Sequence, residues 1–172
     1  MAEGWMEVWS TIQHEFSDVP DLAELTRICV RLGMAIVLGG ILGYERETSG
    51  SSAGFRTHML VALGSALFVL VPLHAGTPLN DMTRVLQGVI AGIGFLGAGA
   101  IIKLNRDQEV IGLTTAASVW LTAAIGIAAG MGRESTAILG TFFALLILLF
   151  LRFAKKTGTA RPVMPAQADD RD

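Results

Sequence analysis

The stretch Thr57–Asn80, THMLVALGSALFVLVPLHAGTPLN, contains no Asp, Glu, Lys or Arg. Across the chain 16% of residues are charged and 52% are hydrophobic, so a run of that length would ordinarily hold about four charges. As a helix rising about 1.5 Å per residue it is long enough to cross a hydrocarbon core of about 30 Å. Four further stretches are free of charge: Leu32–Tyr44, Val85–Ile102, Val110–Gly132 and Ser135–Leu151. Together the five make up more than half of the chain. That pattern excludes a soluble globule, a disordered chain and a disulfide-stapled secreted domain. Cys29 is the single cysteine, so no intrachain disulfide can form, and at the start of a span it reads as a small core residue.

Working outward, the pattern predicts an all-α integral membrane protein with five transmembrane helices, at about 25–44, 55–73, 85–102, 113–129 and 136–151. Together they form one membrane domain over 25–151. The first charge-free run has only 13 residues, too short to span alone, so Arg27 and Arg31 belong to the first helix. Segment 1–24 carries Trp5, Val8, Trp9, Ile12 and Phe16 at helical spacing with acids on its other faces. It reads as a short amphipathic helix lying in the interface. It lacks a basic leading region, so no cleavable signal peptide is expected. Residues 152–172 are rich in Pro, Ala and charge and are expected to form a disordered basic tail.

Basic residues set orientation. With the C-terminus inside, the cytoplasmic side collects Arg46, Arg56, Lys103, Arg106 and five tail cations, against Arg27, Arg31, Arg84 and Arg133 outside. The expectation is therefore N-out and C-in.

In lipid, small residues mark where helices touch. Gly39/Gly43, Gly88/Gly92 and Gly126/Gly130 are pairs at four-residue spacing. Gly88, Gly92 and Gly99 share one face of the third span, and Gly94 and Gly97 lie near the other, which predicts a central third helix. The row Thr122, Gly126, Gly130 on the fourth span is its expected partner. A homo-oligomer, a dimer in the first instance, is expected through the glycine faces. Gly92–Gly97 also spells GxGxxG, the dinucleotide fingerprint. That motif needs a preceding strand and an acid about 20 residues on; here the segment fits a membrane span, and neither a nucleotide cofactor nor nucleic acid is expected.

Two places carry unusual charge. Glu45-Arg46-Glu47, followed by Arg56, is the densest cluster near the bilayer. Glu45 and Glu47 lie about 200° apart on a helix, which favours ion pairing with Arg46 or Arg56 over a shared metal. On the other side, Arg31 lies roughly 9 Å inside the first span, where an arginine costs about 2.5–3.5 kcal/mol at mid-membrane. Asp81, near Arg84, is either its partner or the N-cap of the third span. Hydrated Mg²⁺ needs few carboxylates, but nothing specifies a metal site. His58 and His74 stand isolated, and Ser65 has no catalytic partner in sequence, so no enzyme is expected.

Several ordered motifs carry a family resemblance. They are Arg31-Leu32, Gly43-Tyr44-Glu45-Arg46-Glu47, Ala53-Gly54-Phe55-Arg56-Thr57-His58, Leu63-Gly64-Ser65-Ala66, Gly92-Ile93-Gly94-Phe95-Leu96-Gly97-Ala98-Gly99 and Gly112-Leu113-Thr114-Thr115-Ala116-Ala117. Over roughly residues 24–152 the chain resembles the MgtC/SapB family of bacterial inner-membrane proteins. The resemblance implies a multi-pass inner-membrane protein with a role in growth under magnesium limitation and, in pathogens, in survival inside host cells. For the family's virulence member it also implies association with, and inhibition of, the F-type ATP synthase. It carries over the polar positions Arg31, Glu45, Arg46, Glu47, Arg56, Asp81 and Arg84. Longer members add a soluble C-terminal domain, which the polar segment 152–172 does not resemble.

The leading expectation is a non-enzymatic modulator in magnesium or membrane-energy homeostasis. The alternative is a channel or carrier for Mg²⁺ or a small solute, with Arg31 and Asp81 lining the path. A third reading has the Glu45–Arg56 region recognising an anionic lipid headgroup. The orientation has a direct check: single cysteines introduced into 158–172 of a Cys29→Ala background should react with an impermeant reagent only from the cytoplasmic side. Labelling from outside would reverse it.

Overall fold

The computed structural model describes residues 2–15, 21–103 and 110–157. In them the chain forms six helices: α1 (Ala2–Glu15), α2 (Leu22–Thr48), α3 (Phe55–His74), α4 (Leu79–Ala100), α5 (Leu113–Gly130) and α6 (Glu134–Thr157). The helical class is as expected, with one addition. Between α4 and α5, β1 (Ile102–Lys103) and β2 (Val110–Ile111) pair antiparallel, Ile102 opposite Ile111. By length and composition α2, α3, α4 and α5 are each able to cross a membrane, and α6 has a shorter apolar segment, Glu134–Phe150.

Local chemistry explains the boundaries. Asp21 caps α2 by accepting the Glu24 N–H at 2.7 Å, so the helix starts ahead of the expected 25. At its other end it runs on through the charged residues to Thr48 because those side chains find partners. Gly50 then turns the chain at φ 74°, a left-handed conformation that favours glycine. α4 begins at Leu79, well before the expected 85. Pro78 occupies its N-cap position and no side chain caps it. Asp81 therefore lies in the first turn rather than at the cap, where a carboxylate still favours the helix dipole. α6 continues through Thr157, so residues 152–157 are helical and not the disordered tail expected; 158–172 lie outside the described residues. On α1, Trp5, Val8, Trp9 and Ile12 are exposed, while Phe16 is outside the described residues.

The interior reverses the usual soluble pattern. Phe142, Phe143, Ile147 and Phe150 on α6, Phe68 on α3 and Phe95 on α4 are all exposed, whereas Glu45, Arg46, His58, Ser65, Thr115, Ser118, Thr122 and Thr141 are buried. Such a surface is stable against lipid and not against water. Cys29 is exposed as well; it lies on the outer side of α2 and not in the core as expected.

The centre is formed by α3 and α5, not by α4: α5 packs on α2, α3, α4 and α6, and α3 on α2, α5 and α4. A Cβ at Gly39 would stand 2.8 Å from both the Cβ of Ala62 and the carbonyl oxygen of His58, and one at Gly43 would stand 2.7 Å from the Cα of Phe55. From α5, a Cβ at Gly126 would overlap the Ala62 carbonyl oxygen, and one at Gly130 would stand 2.5 Å from that of Ala66. Thus α3 is held between α2 and α5 at backbone contact, and the Thr122–Gly126–Gly130 row faces α3 rather than α4. On α4 only Met82, Val89 and Gly97 are buried. A Cβ at Gly88, Gly92, Gly94 or Gly99 would meet nothing within 4 Å, and one at Gly97 would make only ordinary contact with Ala116, at 3.6 Å. The physical reason lies in the partner. A glycine permits close approach but does not attract, and the Ala62/Ala66 ridge of α3 supplies the complementary low surface.

These contacts predict opposite effects of one methyl group. Gly126→Ala should destabilise the fold by about 1–3 kcal/mol through overpacking. Gly99→Ala should be neutral or stabilising by up to about 1 kcal/mol through helix propensity. Denaturant unfolding in mixed micelles, followed by circular dichroism, reads both.

Candidate functional site: the buried polar end of the bundle

The α2 end carries the densest charge. Neighbouring residues on a helix do not normally face each other, yet the Arg46 Nε donates to the Glu45 Oε2 at 2.5 Å, with the two residues only 8% and 6% exposed. The other Glu45 oxygen accepts from the Ser49 hydroxyl at 2.7 Å. Glu47 does something different. Its Oε2 accepts the Phe55 backbone N–H at 2.8 Å, capping α3 from the preceding helix because Gly54 at the N-cap has no side chain to do so. A Cβ on Gly54 would stand 2.7 Å from that carboxylate oxygen, so the cap requires glycine there. The ion pair at this end is thus Glu45 with Arg46, and Glu47 pairs with neither arginine. Arg56 is exposed and lines an open hollow of about 570 Å³ with Tyr44, Glu47 and Thr57.

One turn into α3, His58 is fully buried. Its Nδ1 lies 2.9 Å from the Gly54 carbonyl, which can only accept, so Nδ1 carries a proton. Its Nε2 is 3.2 Å from the Ser118 hydroxyl of α5, which is also 2.8 Å from the Thr115 carbonyl. The single Ser118 proton therefore has two acceptors. The Thr115 hydroxyl bonds Ser51 at 2.9 Å, and Thr122 donates to the Ser118 carbonyl at 2.8 Å. The network ties the α2–α3 turn, α3 and α5 together at one end of the bundle.

At the opposite end, the Arg31 Nη1 donates to the Gly130 carbonyl at 3.4 Å, and its guanidinium lies against Gly132. A cation at the C-terminus of α5 is favoured by the helix dipole. Glu24 joins Arg27 at 2.9 Å and His74 at 3.0 Å, tying the start of α2 to the end of α3. Asp81 and Arg84 are exposed on α4, and the expected Arg31–Asp81 pair does not form. Arg31 turns to the Gly130 carbonyl of α5, while Asp81 opens a helix that packs on α5 and α3. Among the described residues no three His, Cys, Asp or Glu side chains cluster as metal ligands.

His58 and His74 are isolated only along the sequence: in the fold His58 meets Ser118 and His74 meets Glu24, and Thr115 and Ser51 join the first of these contacts. A signal was available: a histidine one turn inside a charge-free span, and hydroxyls at 115, 118 and 122 on one helical face.

With four apolar helices of spanning length, lipid-type outer surfaces and a polar interior, the chain is a multi-pass helical membrane protein. It belongs to the MgtC family, whose profile matches residues 32–157. It is 46% identical to Protein SrpB of Synechococcus elongatus, over 69% of this chain and 71% of that protein. It is 42% identical to the putative magnesium transporter YhiD of Escherichia coli K12, over 69% and 58% of the two chains. It is 43% identical to Protein MgtC of Brucella abortus, over 70% and 50%. The match thus spans about half of the longer of these relatives. No solved structure matches the chain.

The polar end predicts a graded mutational response. Glu45→Ala leaves Arg46 buried without its partner and should cost about 3–5 kcal/mol. Glu47→Ala removes only a helix cap and should cost about 1 kcal/mol. Unfolding in micelles should rank them in that order; equal losses would contradict the assigned roles.

Proposed function

We propose that the chain crosses the bacterial inner membrane five times, N-out and C-in, with α1 lying in the interface. We further propose that it acts there without catalysis, as a modulator in adaptation to low magnesium. Membership of the MgtC family and the magnesium-related name of the Escherichia coli relative support the magnesium link. The observation that carries the modulator reading is the closure of the Glu45 site. Both carboxylate oxygens are already engaged, one by the Arg46 guanidinium and one by Ser49. A cation entering there would have to displace a bound cationic side chain out of a buried environment, at a cost of several kcal/mol. The site is suited to holding α2 in one position relative to α3 and α5, and hence to presenting a defined surface to another membrane protein. The F-type ATP synthase is the partner proposed from the family resemblance, and a homodimer is the proposed assembly.

A carrier for Mg²⁺ is the second reading, favoured by the relative's name. The two separate cleanly. In a strain lacking its own homologue, the chain should restore growth at limiting Mg²⁺, and Glu45→Gln should lose that rescue while still reaching the membrane. Purified in proteoliposomes, the wild type should give no Mg²⁺ uptake above empty vesicles. Robust uptake abolished by Asp81→Ala would establish the carrier instead.

A further inference from the structure

The glycines of α4 line a surface that the protein itself does not fill. Between α3 and α4 runs an open apolar groove of about 450 Å³. Phe68 of α3 and Ile93 and Leu96 of α4 form its walls, Gly88 and Gly92 its floor, and Arg84 its one charged end. A Cβ built on either glycine would meet no atom within 4 Å, so the floor is bare backbone. From Arg84 to Leu96 the helix rises about 18 Å. One leaflet of a hydrocarbon core is about 15 Å deep, half of about 30 Å. The groove therefore has the length and polarity of a single lipid: a cation where the headgroup would sit, then an apolar slot as deep as one acyl chain.

Charge decides between a lipid and a second copy. Arg84 is exposed and makes no ion pair among the described residues, and Asp81, three residues earlier on the same helix, does not engage it. Copies in one membrane share an orientation, so a two-fold axis between them runs along the membrane normal, and a residue near that axis faces itself. Two α4 faces packed this way would bring Arg84 against Arg84 at the edge of a low-dielectric layer, where like charges repel, with the exposed Asp81 one turn away from the level at which the two arginines meet. An anionic phosphate supplies the complementary charge.

We propose that the α3–α4 groove binds one acyl chain of an anionic phospholipid, with Arg84 at its phosphate and the chain lying over Gly88 and Gly92. The test extracts the full chain from vesicles containing equimolar phosphatidylglycerol and phosphatidylcholine and measures retained lipid by native mass spectrometry. A single arginine near an anionic surface is worth about 1 kcal/mol, so the wild type should enrich phosphatidylglycerol about fivefold. Arg84→Gln should abolish the enrichment while lipid is still retained, and Asp81→Asn should increase it. Gly92→Leu fills the floor and should release both lipids, whereas Gly99→Leu, outside the groove, should change nothing. Gly88→Ala intrudes by one methyl and replaces Gly92→Leu if that variant fails to fold. Equal retention of the two lipids by the wild type, or enrichment that survives Arg84→Gln, overturns the proposal. Loss of a cross-linked dimer in Gly92→Leu with lipid retention unchanged overturns it too, and assigns the groove to a second copy.

Discussion

The carbonyl oxygen of Ala62 occupies the space where a Gly126 side chain would begin, and one turn later the Ala66 carbonyl does the same at Gly130. From α2, Gly39 admits the His58 carbonyl and Ala62 Cβ, while Gly43 admits the Phe55 backbone. Lipid offers little hydrophobic drive for helix association, so cohesion comes from close van der Waals contact and from polar groups that find partners away from water. Both depend here on α3 lying at backbone distance from α2 and α5. That approach also aims the site. With α3 at backbone distance from both neighbours, the His58 ring reaches Ser118 of α5, and the hydroxyl chain from Ser51 to Thr122 closes around it.

The polar interior follows from the same packing. A charged side chain within a span is costly unless it is paired or reaches the interface, and the protein satisfies its charges by short internal contacts. Glu45 is held by Arg46 and Ser49, Glu47 by the open N-terminus of α3, Arg31 by the open C-terminus of α5, and Glu24 by Arg27 and His74. Two of these four use unsatisfied backbone groups at a helix end rather than an opposite charge. Charge alone points Glu45 or Glu47 to Arg46 or Arg56 and offers Asp81 to Arg31 or to a helix cap, whereas backbone groups at helix ends partner Glu47 and Arg31. His58, Ser118 and Thr115 escaped notice because each is ordinary by itself, and only the α3–α5 contact brings them together.

The glycines divide into two classes that no spacing rule separates. Gly39, Gly43, Gly126 and Gly130 are filled by a neighbouring backbone, while Gly88, Gly92, Gly94 and Gly99 face open space. All belong to the same small-residue pattern. What differs is whether a neighbouring helix presents a low ridge at the same height, as α3 does with Ala62 and Ala66. For that reason α4, with the most glycines, lies at the periphery, and its bare face becomes a surface for something other than this chain's own core.

By itself the sequence determined that the protein is helical and membrane-embedded, where its long apolar helices lie to within about six residues, that Arg31 belongs to the first of them, and that Glu45–Glu47 is the densest charge cluster beside the spans. Those properties follow from hydropathy, the length needed to cross a bilayer and the cost of a charge there, all of which are local to the chain. Only the tertiary structure decided that α3 and α5 together form the centre, which glycines are occupied, that Glu45 pairs with its own neighbour, and that His58 anchors a network across three segments. These depend on which helices stand side by side, and that is settled by complementary surfaces from distant parts of the chain meeting at backbone distance.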